Sequence, residues 1–289
     1  MMAFSSFGQG FYINVGAGYG FSNAAGSIGS DYTHSETGLT PRNTGESYTL
    51  VKGSFGAGLN LGLSAGYAFN EHVSAELGFS MLMGSSYDVT STFTYSFDTT
   101  MVGAFSHHES SVDKTTYKGS MIRITPSIKI TGGDADASIR PYARIGIVLG
   151  LSGKVTATST GNSSFSETLM TSETHVSEGT EEYTGGMATG LSGSLGVLYK
   201  LSETMALYGE INMVGQSWAP TTGTITKSTY DGVDELATMK TNQKSFTYSD
   251  TYSVPTSINE GSPSPGLKTY VPFSSFGIAI GLHMSFGSK

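Results

Sequence analysis

Eight apolar residues occupy successive alternate positions: Phe55, Ala57, Leu59, Leu61, Leu63, Ala65, Tyr67 and Phe69. Between them lie Gly56, Gly58, Asn60, Gly62, Ser64, Gly66 and Ala68. Period two belongs to an extended strand, whose successive side chains point to opposite faces. With 37% hydrophobic residues in the chain, eight consecutive hits arise by chance about 4 times in 10,000. The size contrast constrains the fold further, because one face is bulky and apolar while the other is almost bare.

The pattern recurs over Phe11–Phe21, 73–84, Met121–Thr131, Ile139–Leu151, Met187–Leu201, Met205–Trp218 and Tyr270–Phe286. That predicts eight strands, and no stretch carries a helical period. Three connections are short, at 70–72, 132–138 and 202–204, and alternate with four long ones near 22–53, 85–120, 152–186 and 219–269. The arrangement reads as an up-and-down meander whose long loops share one end. Two further strands inside 222–266 would make it ten-stranded. Val89–Tyr95 and Lys154–Thr158 still alternate, so strands are expected to run on past the wall as a polar fence.

Volume decides which face points outward. An eight-stranded barrel has an interior only just wide enough for side chains. The Phe, Leu, Ile, Tyr and Met face is too bulky for it, and the Gly/Ser face is a poor water-facing surface. Reversing the assignment, with small residues in the lumen and bulky ones against lipid, resolves both problems. Closure also leaves no sheet edge in hydrocarbon. A soluble lipocalin-like barrel is the less favoured reading. The longest apolar runs fall short of the ~20 residues of a transmembrane helix, which leaves strands as the membrane-crossing element. The opening Met-Met-Ala-Phe-Ser-Ser has no leader pattern, so a mature form with its signal peptide removed is expected for a surface protein.

Charged residues are only 13% of the 289, with 15 Lys and Arg against 23 Asp and Glu. A net charge of −8 provides no basic face for nucleic acid. Within the predicted strands, Glu76, Arg123, Lys129, Arg144, Lys200 and Glu210 fall on the lumen side and are expected to pair, because an isolated buried charge costs several kcal/mol. They form either a structural plug with Tyr12, Tyr142, Tyr208 and Asn212 or an ion path. Tyr19, Tyr67, Phe69, Trp218 and Phe286 are expected in the aromatic girdles at the membrane interfaces.

Gly10–Phe21, Arg140–Gly146 and the closing strand resemble the OmpA/OmpX-type small outer-membrane β-barrels of Gram-negative bacteria. The resemblance implies one barrel domain over residues 1–289, a place in the outer membrane with its lipopolysaccharide leaflet, and insertion by the barrel-assembly machinery. It also implies a C-terminal assembly signal, here Gly281, Met284 and Phe286 within Ala279–Phe286. Ala279 departs from the polar residue that opens this signal, and Gly-Ser-Lys follows the terminal aromatic.

Chemical sites are harder to find. His107-His108-Glu109 could suggest a metal, but neighbouring strand residues face opposite ways. Asp134-Ala-Asp136 is too short for a calcium shell and reads as turn chemistry. Gly16, Gly18 and Gly20 precede no helix that would cap a phosphate. Cysteine is absent. His34, His175 and the loop acids fit no nucleophile–base spacing. The expectation is a non-enzymatic scaffold, without metal or cofactor, whose loops meet an extracellular ligand or host surface. The alternative is a narrow pore for solutes or ions.

Overall fold

The computed structural model describes residues 10–23, 26–38, 43–99, 105–168, 170–253 and 259–286. Among them, sixteen strands join in one sheet. In chain order they are β1 Gly10–Phe21, β2 Gly26–Thr37, β3 Asn43–Gly53, β4 Gly58–Ala68, β5 Val73–Thr99, β6 Phe105–Thr131, β7 Ile139–Glu167 and β8 Glu173–Thr184. There follow β9 Ala188–Lys200, β10 Met205–Trp218, β11 Thr222–Tyr230, β12 Val233–Asp234, β13 Ser245–Ser249, β14 Ser264–Leu267, β15 Val271–Pro272 and β16 Ser275–Ser285.

Eight of these form a ring. Antiparallel ladders run β1–β4–β5–β6–β7–β9–β10–β16, and β16 returns to β1 with Ile13 opposite Met284 and Phe21 opposite Phe276. A ring has no free edge, so every wall strand finds both partners inside the protein. Leu61, Phe79, Ile145, Leu195, Ile211 and Ile280 stand exposed on its outside, Ile280 at 71%. Asn14, Ser64, Ser74, Glu76, Lys129, Ser194 and Glu210 are buried within. This inverts the arrangement of a water-soluble core, and so wide an apolar outer surface belongs in hydrocarbon.

The short connections lie at one end. In the first, Asn70 Oδ1 accepts from the backbone N–H groups of His72 and Val73, both at 2.8 Å, which fixes the turn. At the other end β5, β6 and β7 continue far beyond their ring neighbours, with 27, 27 and 29 residues. A tilted barrel strand needs only about 9–11 residues to cross a membrane. The surplus forms an extension. β2 pairs in parallel with the far half of β5 and carries β3 at its outer edge, while β8, β11, β13 and β14 flank the far half of β7. Residues 222–266 therefore hold further strands, but these join the extension and leave the ring at eight. The segments 22–53, 85–120 and 152–186, expected as loops, are in large part strand, and 219–269 carries the short strands β11–β14.

Two bulges shape the junction. One lies in β5 between Met83 and Ser86, and the other shifts the β6–β7 register at Ile122/Arg123. Each inserts a residue and exchanges the two faces of its strand. Below the bulge the even-numbered residues of β5, such as Glu76 and Leu82, are buried. Above it, odd-numbered Tyr87 turns to the same interior.

Candidate functional site

The lumen is closed at two levels by opposite chemistry. The lower closure grows from β1, β5, β6, β7 and β10, whose inward positions carry Tyr12, Glu76, Lys129, Tyr142, Arg144 and Glu210. Lys129 Nζ lies 2.8 Å from Glu76 Oε1, and Arg144 Nη1 lies 2.9 Å from Glu76 Oε2. The other arm of the same guanidinium donates to Glu210 at 2.6 and 2.9 Å. Arg144 thus bridges two carboxylates through the fork that suits a guanidinium to this task. The Tyr12 hydroxyl donates to Glu76 Oε1 and the Tyr142 hydroxyl to Glu210 Oε2, both at 2.8 Å. Lys129 Nζ also sits 4.2 Å from the Tyr12 ring centroid. Asn14 and His283 continue the network, with His283 Nδ1 donating to Asn14 Oδ1 at 2.7 Å. Two cations meet two carboxylates, so the cluster is neutral and its charges are mutually satisfied.

The upper closure is apolar. Phe55, Leu82, Met121, Val155, Ala188, Trp218 and Phe273 form a buried cluster at the mouth, flanked by Ile28, Tyr87, Tyr117, Tyr183 and Val271. Two chain segments fold inward to build it, 54–57 between β3 and β4, and 273–274 between β15 and β16. The Phe55 and Trp218 rings each approach the Phe273 ring at 5.7 Å, Trp218 edge-on. Trp218 Nε1 donates to the Gly185 carbonyl at 2.8 Å, and the Tyr87 hydroxyl donates to the Ser54 carbonyl at 2.8 Å. The polar handles of both rings are therefore satisfied where they are buried.

The six charges expected in the lumen do not form one network. Glu76, Lys129, Arg144 and Glu210 come together. Arg123 sits apart beneath the apolar closure, where its Nε donates to Gln216 Oε1 and its Nη2 to the Phe273 carbonyl, both at 2.9 Å. Lys200 lies at the short-turn end and pairs with Glu203 at 3.4 Å. Tyr208 packs near Tyr142, outside the ion pairs themselves.

Trp218 is a correction. It is 1% exposed and belongs to the mouth cluster, so it is no girdle residue. Its sequence parity matches inward Glu210 and Gln216, a signal that points inside. Tyr19, Tyr67, Phe69 and Phe286 do stand on the outer surface. Phe55, read from its alternation as an outer-wall residue, is also inside, because the chain turns at Gly58 (φ +129°) before the wall begins. At Gly58 a Cβ would stand 2.3 Å from the Met83 carbonyl oxygen, so the turn requires glycine. Gly281 and Met284 lie in β16, and Phe286 follows it with its backbone N–H on the Phe11 carbonyl.

Above the mouth the lumen face of the extension changes character. His34 stacks on Phe93 at 5.2 Å, Tyr32 meets Tyr48 at 4.8 Å, and His107 touches both Tyr95 and Phe165 at about 5 Å. The ladders place Glu46, Glu109 and Glu167 on this face. The lysines turn away: Lys114 pairs with Asp88 and Lys154 with Glu182 on the opposite face. His107 and His108 face opposite sides, with His108 beside Asp98. No group of three metal-ligating side chains occurs among the described residues. Farther out, His175 Nδ1 is 2.7 Å from Asp231 Oδ2. This contact raises the histidine above its ordinary value and lowers the aspartate below its own.

A closed strand ring with a lipid-facing belt and a polar lumen defines an integral outer-membrane β-barrel protein. The family of the outer membrane protein beta-barrel domain matches residues 2–229, and the chain belongs to it. No curated protein gives a significant match.

Proposed function

We propose that the protein is a non-enzymatic transmembrane scaffold. Its closed eight-stranded barrel holds the long extension, made of β2, β3, the far halves of β5–β7, β8 and β11–β14, outside the cell for contact with an extracellular ligand or host surface. The ends of the ring with short turns face the periplasm. A cleaved leader and the barrel-assembly machinery deliver the chain to the membrane.

The observation that carries this reading is the double closure of the lumen. Four ion-paired side chains and a cluster around Phe273 fill the path a solute would take. Against this, the extension presents aromatic rings and carboxylates together, a surface suited to a basic or carbohydrate-bearing partner. The test has two arms. The reconstituted protein should give no conductance steps in a planar bilayer, and Trp218→Ala, which opens the mouth, should raise the leak. Bacteria displaying the protein should adhere to host cells, and a variant with 88–116 replaced by a short Gly/Ser turn should lose that adhesion. Steady conductance by the wild type would assign the lumen to transport instead.

A further inference from the structure

The charges inside the ring do not balance. Glu76 and Glu210 are neutralised by Lys129 and Arg144. Arg123 is left over. It is 2% exposed, and no carboxylate lies within ion-pair distance of it among the described residues. Its two protein acceptors are neutral, the Gln216 side-chain oxygen and the Phe273 carbonyl. A guanidinium carries five N–H donors, and these contacts use two. A guanidinium stays charged in proteins, so burial cannot be relieved by losing the proton. An uncompensated buried charge is strongly unfavourable, more so with apolar side chains above and lipid around the wall.

A cavity of about 170 Å³ lies in the lumen; Arg123, Arg144, Ser194 and Asn60 line it, together with Glu76 and Glu210, whose charges Lys129 and Arg144 already neutralise. The volume exceeds that of one water molecule several-fold. Ser194 is more than nine-tenths buried, and its hydroxyl has no hydrogen-bond partner in the protein. The nearby Gln216 amide Nε2 is buried and unpartnered as well. The surplus positive charge of Arg123 and the idle Ser194 donor, both on the wall of this cavity, together describe an anion site.

We propose that the lumen holds a small inorganic anion of chloride size beside Arg123, as the counter-charge of its guanidinium. Ser194 completes the site as a neutral donor. The anion is a resident of the closed lumen, and the site stands whether or not the extension is adhesive.

Crystals of the full-length protein soaked in sodium bromide give the direct test. Anomalous scattering should place one bromide in the cavity, within hydrogen-bonding reach of Arg123. In detergent micelles, chloride should be raised from about 1 to 100 mM at constant ionic strength, balanced with gluconate, which is too large to enter. The folding equilibrium constant should then rise about tenfold for an affinity near 10 mM. Arg123→Met should fold with no chloride dependence, and Ser194→Ala should keep the guanidinium but lower the bromide occupancy. A cavity holding only water in bromide-soaked crystals overturns the proposal. So does a chloride response that Arg123→Met leaves unchanged. If Arg123→Met does not fold, the bromide map and Ser194→Ala decide.

Discussion

The strands β5, β6 and β7 pass through two environments, and the same backbone geometry answers to different rules in each. Within the ring, their outward residues are Leu77, Phe79, Ile122, Ile128, Ile145 and Ile147, while their inward residues are mostly small, polar or ion-paired and give way to Leu82, Met121 and Val148 toward the mouth. In the extension, both faces carry Thr, Ser and charge, with rings such as Phe93 and Phe165 resting partly buried on the face that continues the lumen. Closure, rather than the strand itself, sets the cost of a side chain. Inside the ring every charge needs a partner, whereas in the extension water serves as one.

Breaking an ion pair inside the ring should give the largest effect. Glu76→Gln leaves Lys129 and one arm of Arg144 without their carboxylate, which should cost about 3–5 kcal/mol. Urea unfolding of the protein in lipid vesicles measures it. The double variant Glu76→Gln/Lys129→Met removes the stranded cation and should recover much of the loss. A double variant no better than the single one would mean that Glu76 acts through packing.

The in/out polarity of the wall comes next. Leu61→Arg places a cation on the lipid face near mid-strand and should cost about 2–4 kcal/mol. Gly62→Ser, one residue on, points inward. The nearest atom to a Cβ there is the Phe79 carbonyl oxygen at 4.0 Å, so the change should cost well under 1 kcal/mol. The same unfolding titration reads both, and equal penalties would contradict the inverted wall.

Trimming the extension should barely touch the ring. Residues 222–266 pair with β8 and with one another, and none of the eight ring ladders includes them. Loop entropy changes by only about 0.6 kcal/mol per doubling of length. Replacing 222–266 with a short Gly/Ser turn should therefore leave a folded, heat-modifiable barrel within about 1 kcal/mol of the wild type. A chain that no longer folds would show that the extension templates the ring.

The smallest expected effect is electrostatic and local. The Asp231 carboxylate accepts from His175, which raises the imidazole, and it is itself held low. A raised histidine stabilises its contact below its unfolded pKa of about 6.5, and the gain is lost as pH rises through the folded value. The lowered aspartate contributes above its unfolded pKa of about 3.9, and that gain is lost as pH falls through its folded value. The β8–β11 contact should thus be tightest between about pH 4 and 6.5. NMR titration of the His175 ring should give a value above 6.5, and Asp231→Asn should bring it back down. No change in Asp231→Asn would remove the pair.

Most of the wall was legible because a lipid-facing strand must repeat every two residues. The ranges from Phe11 to Phe286 fall close to β1, β4–β7, β9, β10 and β16, and the inward parity of Glu76, Lys129, Arg144 and Glu210 follows from their neighbours. β2, β3, β8 and β11 read as loops because strands wetted on both faces lack an apolar stripe. The mouth cluster was hidden for a different reason. Phe55 and Phe273 are apolar residues next to wall strands, and only the inward turn of 54–57 and 273–274 separates them from lipid-facing positions. Trp218 could have been placed by counting in twos from Glu210.

The amino-acid sequence by itself determined a strand-built wall, its inverted polarity and the sign of the charges inside, because these depend on residue type and a period of two. Tertiary structure alone decided which charges meet. Glu76 reaches Lys129 and Arg144 but not Arg123, since position along the lumen is set by strand stagger and by the bulges in β5 and at the β6–β7 register. It also decided that the mouth is filled by residues from segments far apart in the chain, because only ring closure brings 54–57, 218 and 273 into one cross-section.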